Sequence, residues 1–255
     1  MKRLTAFLMS PLHANEPMLK VLKKQILGFT HLLLHPSLLK RIIIRETRYG
    51  QRHQDRRNWL EWQEYDQYIS HLLHGSAEAQ LRPLNIARIQ TISNMVSRLG
   101  NGLRVLDIGC GAGVISERIG KLGNSITCAD LPTIASLAHK RRALVAVAAD
   151  AEQLAFASNS FDVVLALEIL EHLWNPHGFL DEVYRILGAG GHLIIEVPEG
   201  KEGLRWDSHM QYFTLEGLKQ MPGTRFNVRE VKRLTPVKGV PTPTIILLLQ
   251  KLMTN

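Results

Sequence analysis

Residues 104 to 113 read Arg-Val-Leu-Asp-Ile-Gly-Cys-Gly-Ala-Gly, an apolar run ending in an acid and three alternating glycines. Such a run suits a strand buried on both faces in a parallel sheet. Gly109, Gly111 and Gly113 then remove side chains where the chain must turn tightly and let a ligand approach backbone. The next residues, Val-Ile-Ser-Glu-Arg-Ile-Gly, have helical periodicity, so the unit reads as strand, glycine loop, helix. A dinucleotide fingerprint would need its third glycine at position 114, which is Val.

From residue 103 onward, apolar and amphipathic segments alternate. Strands are expected near 103–108, 125–129, 144–148, 162–167, 191–197, 226–232 and 244–250. Helices are expected near 113–122, 133–141, 176–187 and 215–221, with a short turn or helix at 169–174. Alternation of this kind predicts a mostly parallel sheet with helices on both faces. Only a loop separates the last two strands, which suits an antiparallel hairpin.

Acids follow the strands at informative places. The second strand ends in Asp130, seventeen residues after Gly113, where a carboxylate can accept both hydroxyls of a ribose. After the third strand stands Asp150-Ala151-Glu152-Gln153-Leu154-Ala155-Phe156. The fourth strand runs into Glu168-Ile169-Leu170-Glu171-His172, and ligands bind at the carboxyl ends of strands in open α/β sheets. Residues 181–198 hold a helix end, the glycines 188, 190 and 191, and the fifth strand. After it comes Asp207-Ser208-His209-Met210-Gln211-Tyr212-Phe213-Thr214.

Over about residues 101–252 these motifs resemble the Rossmann-like S-adenosyl-L-methionine (SAM) methyltransferases. The resemblance covers Gly-x-Gly-x-Gly behind Asp107, the Asp-Ala-x-x-Leu segment, the Glu-x-x-x-His ending and a His-x-x-x-Phe-Thr loop. It implies a seven-stranded methyltransferase sheet with SAM as the cofactor. Asp107, Gly109, Cys110, Gly111 and Gly113 would surround its methionine part. Asp130 with Leu131 would hold the ribose, Asp150 with Ala151 the adenine, and Glu168 would face the crevice. For an oxygen acceptor, His209, His172 or Glu171 would take the proton, and bracing of the loop is an open alternative role for His209. Asp207 beside His209 is too sparse a set for a metal site, so none is assigned.

The implied function is methyl transfer to a small-molecule acceptor, at an oxygen of a lipid-linked, quinone-like or sugar substrate. A SAM-binding regulatory protein without turnover is the alternative, opposed by the intact acids 107, 130 and 150. An Asn/Asp/Ser-Pro-Pro-aromatic segment after the fourth strand and a nucleophilic cysteine after a proline are both missing. That argues against methylation of nucleic-acid bases.

Charge divides the chain. Residues 1–60 carry twelve Lys/Arg against three Asp/Glu, while the whole chain is +8. Residues 17–47 read as two basic amphipathic helices broken at Pro36, and residues 48–58 as polar and exposed. Trp59, Trp62, Tyr65 and Tyr68 mark an aromatic helix over 59–73, serving as core or lid, and a further helix spans 83–99. These residues set a helical basic extension at 1–82 before a methyltransferase domain at 83–255. Three roles are open for the arm: a helical cap with a solvated basic face, contact with an anionic membrane surface, or binding of RNA phosphates. The cap is favoured and nucleic acid is the weakest. Two cysteines and no spanning apolar run fit a cytoplasmic protein, with peripheral membrane contact through the arm.

Overall fold

The computed structural model describes residues 36–74, 83–201, 208–235 and 243–252. The first expected basic helix, before Pro36, lies outside the described residues. The second is present as α1 (Pro36–Tyr49). It is followed by α2 (Arg56–His74) and α3 (Pro83–Leu99), then β1 (Arg104–Ile108), α4 (Val114–Gly120), β2 (Ser125–Asp130), α5 (Pro132–Arg142) and β3 (Val145–Ala148). The remainder is β4 (Phe161–Leu167), α6 (Pro176–Ile186), β5 (Leu187–Pro198), α7 (Leu215–Gln220), β6 (Phe226–Leu234) and β7 (Thr244–Lys251), with single 3-10 turns at Leu170–His172 and Gly223–Arg225.

Seven strands form one sheet in the order β3-β2-β1-β4-β5-β7-β6. The first five are parallel, and β7 runs antiparallel between β5 and β6. The expected architecture is therefore observed. Strand parity separates the core into two clusters, because successive side chains leave a strand on opposite faces. Val105, Val163, Leu165, Ile194 and Ile246 pack with Ile92, Met95 and Val96 of α3. Leu106, Val164, Ala166, Ile195 and Leu247 pack on the other face with Phe179, Leu180, Val183 and Ile186 of α6. The side chain of Asn175 caps α6 by accepting from the Gly178 N–H at 3.0 Å, with Pro176 in the first turn.

Two local expectations are corrected. A helix ending near 187 and a strand beginning near 191 were expected, with glycines between them. Instead β5 starts at Leu187, directly after α6, and absorbs Gly188–Gly191 as a register shift against β4. Gly191 is needed there for close approach, since a Cβ would stand 3.0 Å from the Gly188 carbonyl and 3.1 Å from that of Asp162. Residues 48–58 were expected to be exposed, yet α2 begins within them and Arg56 is half-buried.

By compactness the chain divides into Met1–Thr47 and Arg48–Asn255, whereas the change in composition had set the boundary at 82/83. Trp59 and Trp62 of α2 are fully buried. Among the described residues no helix is long and apolar enough to cross a membrane.

Candidate active site at the carboxyl edge of the sheet

All three loop glycines adopt left-handed backbone, with φ of +73° at Gly109, +55° at Gly111 and +75° at Gly113. L side chains strain there. A Cβ on Gly113 would also stand 2.4 Å from Leu144 Cδ1, and one on Gly109 3.0 Å from Ile169 Cδ1. The loop is thus held between the β3 entrance and the turn after β4. Its own turn closes by the Gly113 N–H donating to the Cys110 carbonyl at 2.9 Å.

Asp130 reaches back from the end of β2 to this loop. Its carboxylate accepts the Gly111 N–H at 2.8 Å and the Leu131 N–H at 2.7 Å. Burial pushes its pKa up to about 6, and the two backbone donors oppose that rise. These contacts align the acid while leaving lone pairs for ligand hydroxyls.

Asp107 sits otherwise. It is buried in β1, and the hydroxyl of Ser116 on α4 donates to its carboxylate. Its hydrogen bond ties the strand to the helix that follows the loop. Burial raises its pKa from 3.8 to about 7, against the pull of Ser116. Between about pH 4 and 7 the folded state therefore keeps a proton that the unfolded chain releases, so stability falls as pH rises through that window. Asp107→Asn, tested by thermal unfolding from pH 5 to 8, is expected to flatten this fall. The displacement is worth at most about 4 kcal/mol, and a slope equal to wild type would refute the assignment.

At the end of β3, the Asp150 carboxylate pairs with the Arg56 guanidinium and accepts the Glu152 N–H at 3.0 Å. Glu152 accepts from Arg56 Nε at 3.3 Å and from the Trp174 N–H at 2.8 Å. Ala151 is half-buried between these acids, and Leu154 is buried behind them.

The chain turns at the end of β4 through Glu168, whose φ of +56° is rare for a residue with a side chain. Its N–H donates to the Glu196 carbonyl at 2.9 Å. The Arg88 guanidinium, from α3, grips the Glu196 carboxylate with two bonds of 2.6 and 2.8 Å. Burial lifts Glu168 to about 7 with Arg88 opposing, and lifts Glu171 well above the ordinary carboxylate range with Glu168 adding repulsion. Oε1 of Glu168 and both carboxylate oxygens of Glu171 are buried with no hydrogen bond among the described residues.

The loop after β5 is laced to this turn. His172 Nδ1 lies 2.6 Å from the Ser208 carbonyl, so that nitrogen carries the proton and Nε2 is the acceptor. The Met210 N–H donates to the Glu171 carbonyl at 2.8 Å, and the Gln211 amide donates to the Leu173 carbonyl at 2.9 Å. The rings of His172 and His209 meet edge to face, 4.7 Å between centroids. Burial pulls His172 down to about 4.

One donor atom each from Glu171, His172 and His209 falls within 4.8 Å of the others. The three residues expected to move a proton are therefore together. They also form a set able to hold a metal ion, which the pair Asp207 and His209 did not foretell; Asp207 lies outside the described residues. Sequence reasoning missed Arg56, Arg88 and Glu196, whose roles depend on partners remote along the chain.

A family model described as a methyltransferase domain matches residues 106–195. Among curated proteins, a ubiquinone biosynthesis O-methyltransferase of Agrobacterium fabrum is 38% identical over 136 residues, covering 46% of this chain and 54% of the relative. One of the same name from a Caulobacter species is 40% identical over 101 residues, covering 37% and 40%. The chain thus spans about half the length, or less, of these curated relatives. Among solved structures, an N-methyltransferase of Bradyrhizobium japonicum in complex with S-adenosyl-L-homocysteine superposes with a TM-score of 0.61 at 19% identity, covering 69% of this chain and 91% of that one. The 1,6-didemethyltoxoflavin-N1-methyltransferase of Burkholderia thailandensis, with 1,6-didemethyltoxoflavin and S-adenosylhomocysteine bound, gives 0.59 at 20% identity, covering 74% and 87%. These two likenesses speak for the fold. Residues 106–195 thus match a methyltransferase domain, carried on a sheet with the fold of these solved methyltransferases.

Proposed function

We propose that this chain transfers the methyl group of SAM to a hydroxyl oxygen of a quinone-like aromatic acceptor. The observation that carries the reading is the meeting of Glu171, His172 and His209 beside the glycine loop, to which Ile169 joins them. The curated relatives, named for O-methylation in ubiquinone biosynthesis, favour an aromatic hydroxyl over a sugar.

SAM supplies a methyl on a positively charged sulfur, which departs as a neutral thioether when the acceptor oxygen attacks. The left-handed glycines leave backbone open to its methionine part, and Asp130 and Asp150 present acceptors to ribose and adenine. Aligning the attacking oxygen behind the methyl carbon supplies up to about 7–11 kcal/mol of barrier reduction. As the O–C bond forms and the C–S bond breaks, the hydroxyl proton must leave. His172 stays neutral at pH 7 and offers Nε2 as an acceptor that orients the hydroxyl. His209, on the facing loop, takes the proton.

A second reading rests on the orphaned oxygens of Glu171 beside two imidazoles. These donors suit a divalent cation. Glu171, His172 and His209 would hold it, and it would lower the pKa of the acceptor hydroxyl.

The test is methyl-labelled SAM with a panel of catechols and hydroquinols, with and without chelator. Label recovered as an aryl methyl ether supports the proposal, and label found only on amines overturns it. Turnover lost to chelator and restored by added cation selects the second reading.

A further inference from the structure

Arg56, Trp59, Gln63 and Glu64 share one face of α2, since positions three, seven and eight apart along a helix fall on one side. Together they bind the loops after three strands. After β3, Arg56 holds both Asp150 and Glu152. Beyond β4, Trp59 Nε1 donates to the His172 carbonyl at 2.7 Å and Gln63 Nε2 to the same oxygen at 3.4 Å. Following β2, the Glu64 carboxylate accepts the Thr133 hydroxyl and, at 3.2 Å, the Thr133 N–H in the first turn of α5. Glu152 closes the circuit by also accepting the Trp174 N–H, two residues beyond His172.

Trp59 is fully buried and stacks on His53 at 5.2 Å, and Trp62 is fully buried beside it. The face of α2 that carries these contacts therefore has no room to shift one side chain without the next. A helix rises about 1.5 Å per residue, so Arg56 and Trp59 are less than one turn apart. Displacement at one is carried to the other by covalent backbone.

We propose that Arg56 is a positioning residue and α2 a rigid strap: engagement of the acids that hold the adenosyl group sets the position of His172 in the acceptor pocket. The inference rests on the SAM reading of Asp150. Its physical content is a planar guanidinium fork on two carboxylates. When Asp150 accepts from a ligand, the fork transmits the carboxylate's orientation to α2, and the Trp59 indole transmits it to the His172 backbone. Cofactor occupancy thus prepares the acceptor side.

The experiment is hydrogen–deuterium exchange on the full chain, with and without S-adenosylhomocysteine, comparing wild type, Arg56→Gln and Trp59→Phe. In wild type the ligand is expected to slow exchange at 148–154, along α2 and at 170–174. Both variants should keep protection at 148–154 and lose the added protection at 170–174. Trp59→Phe removes the N–H donor and part of the ring volume while keeping an aromatic ring in the site, so it reports even if Arg56→Gln fails to fold. It should bind S-adenosylhomocysteine as wild type does while its turnover falls by up to about tenfold. Full protection at 170–174 in a folded variant overturns the strap and leaves the SAM reading intact. No binding of S-adenosylhomocysteine by wild type overturns both.

Discussion

Asp130→Ala is expected to weaken binding of S-adenosylhomocysteine by about ten- to a hundredfold, as read by calorimetry. Hydrogen bonds to a charged acceptor contribute about 1.5–3 kcal/mol each, and the carboxylate is proposed to accept from two ribose hydroxyls. A second loss adds to this. Gly111 and Leu131 donate their N–H groups to the same carboxylate, so alanine also releases the glycine loop from the end of β2. Asp130→Asn separates the two effects, because its single amide oxygen preserves one loop contact while losing charge. It should bind with intermediate affinity. Wild-type affinity in the alanine variant would remove Asp130 from the ligand site.

His209→Ala is expected to lower turnover by about a hundredfold or more while S-adenosylhomocysteine affinity stays within about threefold. General acid–base groups contribute roughly 10²–10⁴ in rate, and His209, whose ring meets that of His172 edge to face, is proposed to take the acceptor's proton. The measurement uses the acceptor found by the labelling experiment above. His209→Gln gives the necessary contrast, since its amide can brace the loop but cannot take a proton. Equal losses in both variants support proton transfer. Recovery with glutamine, or unchanged turnover with alanine, returns His209 to the bracing role.

The strands were legible because β1 and β4 are covered on both faces and so must be apolar throughout. Val105, Leu106 and Ile108 leave Asp107 as the single charged residue after Arg104 in β1. Glycine spacing announced the loop, since three left-handed residues in five leave few other choices. Asp130 ends β2, while Glu171 and His172 follow β4 and His209 follows β5, so their places at one edge of the sheet could be read from the order of the strands. Those of Arg56 and Arg88 could not. Arg56 lies in a basic stretch and looks solvated, Arg88 belongs to no motif, and their partners Asp150 and Glu196 lie 94 and 108 residues away. The Asp107–Ser116 bond was hidden for a related reason: the position of Asp107 beside the loop is visible in sequence, whereas the inward direction of its side chain is a property of the packed sheet.

The place of α2 also bears on how this chain can be divided. The basic arm and the helix that follows look like one appendage by composition, but the indole of Trp59 fills space beside the turn that carries His172. A fragment begun at residue 83 would retain every sheet strand and every glycine of the loop, yet lack the guanidinium and indole that hold the loops after β3 and β4. The compact unit that carries the recognisable motifs therefore begins at Arg48, upstream of α2, among residues whose composition gives no hint of it.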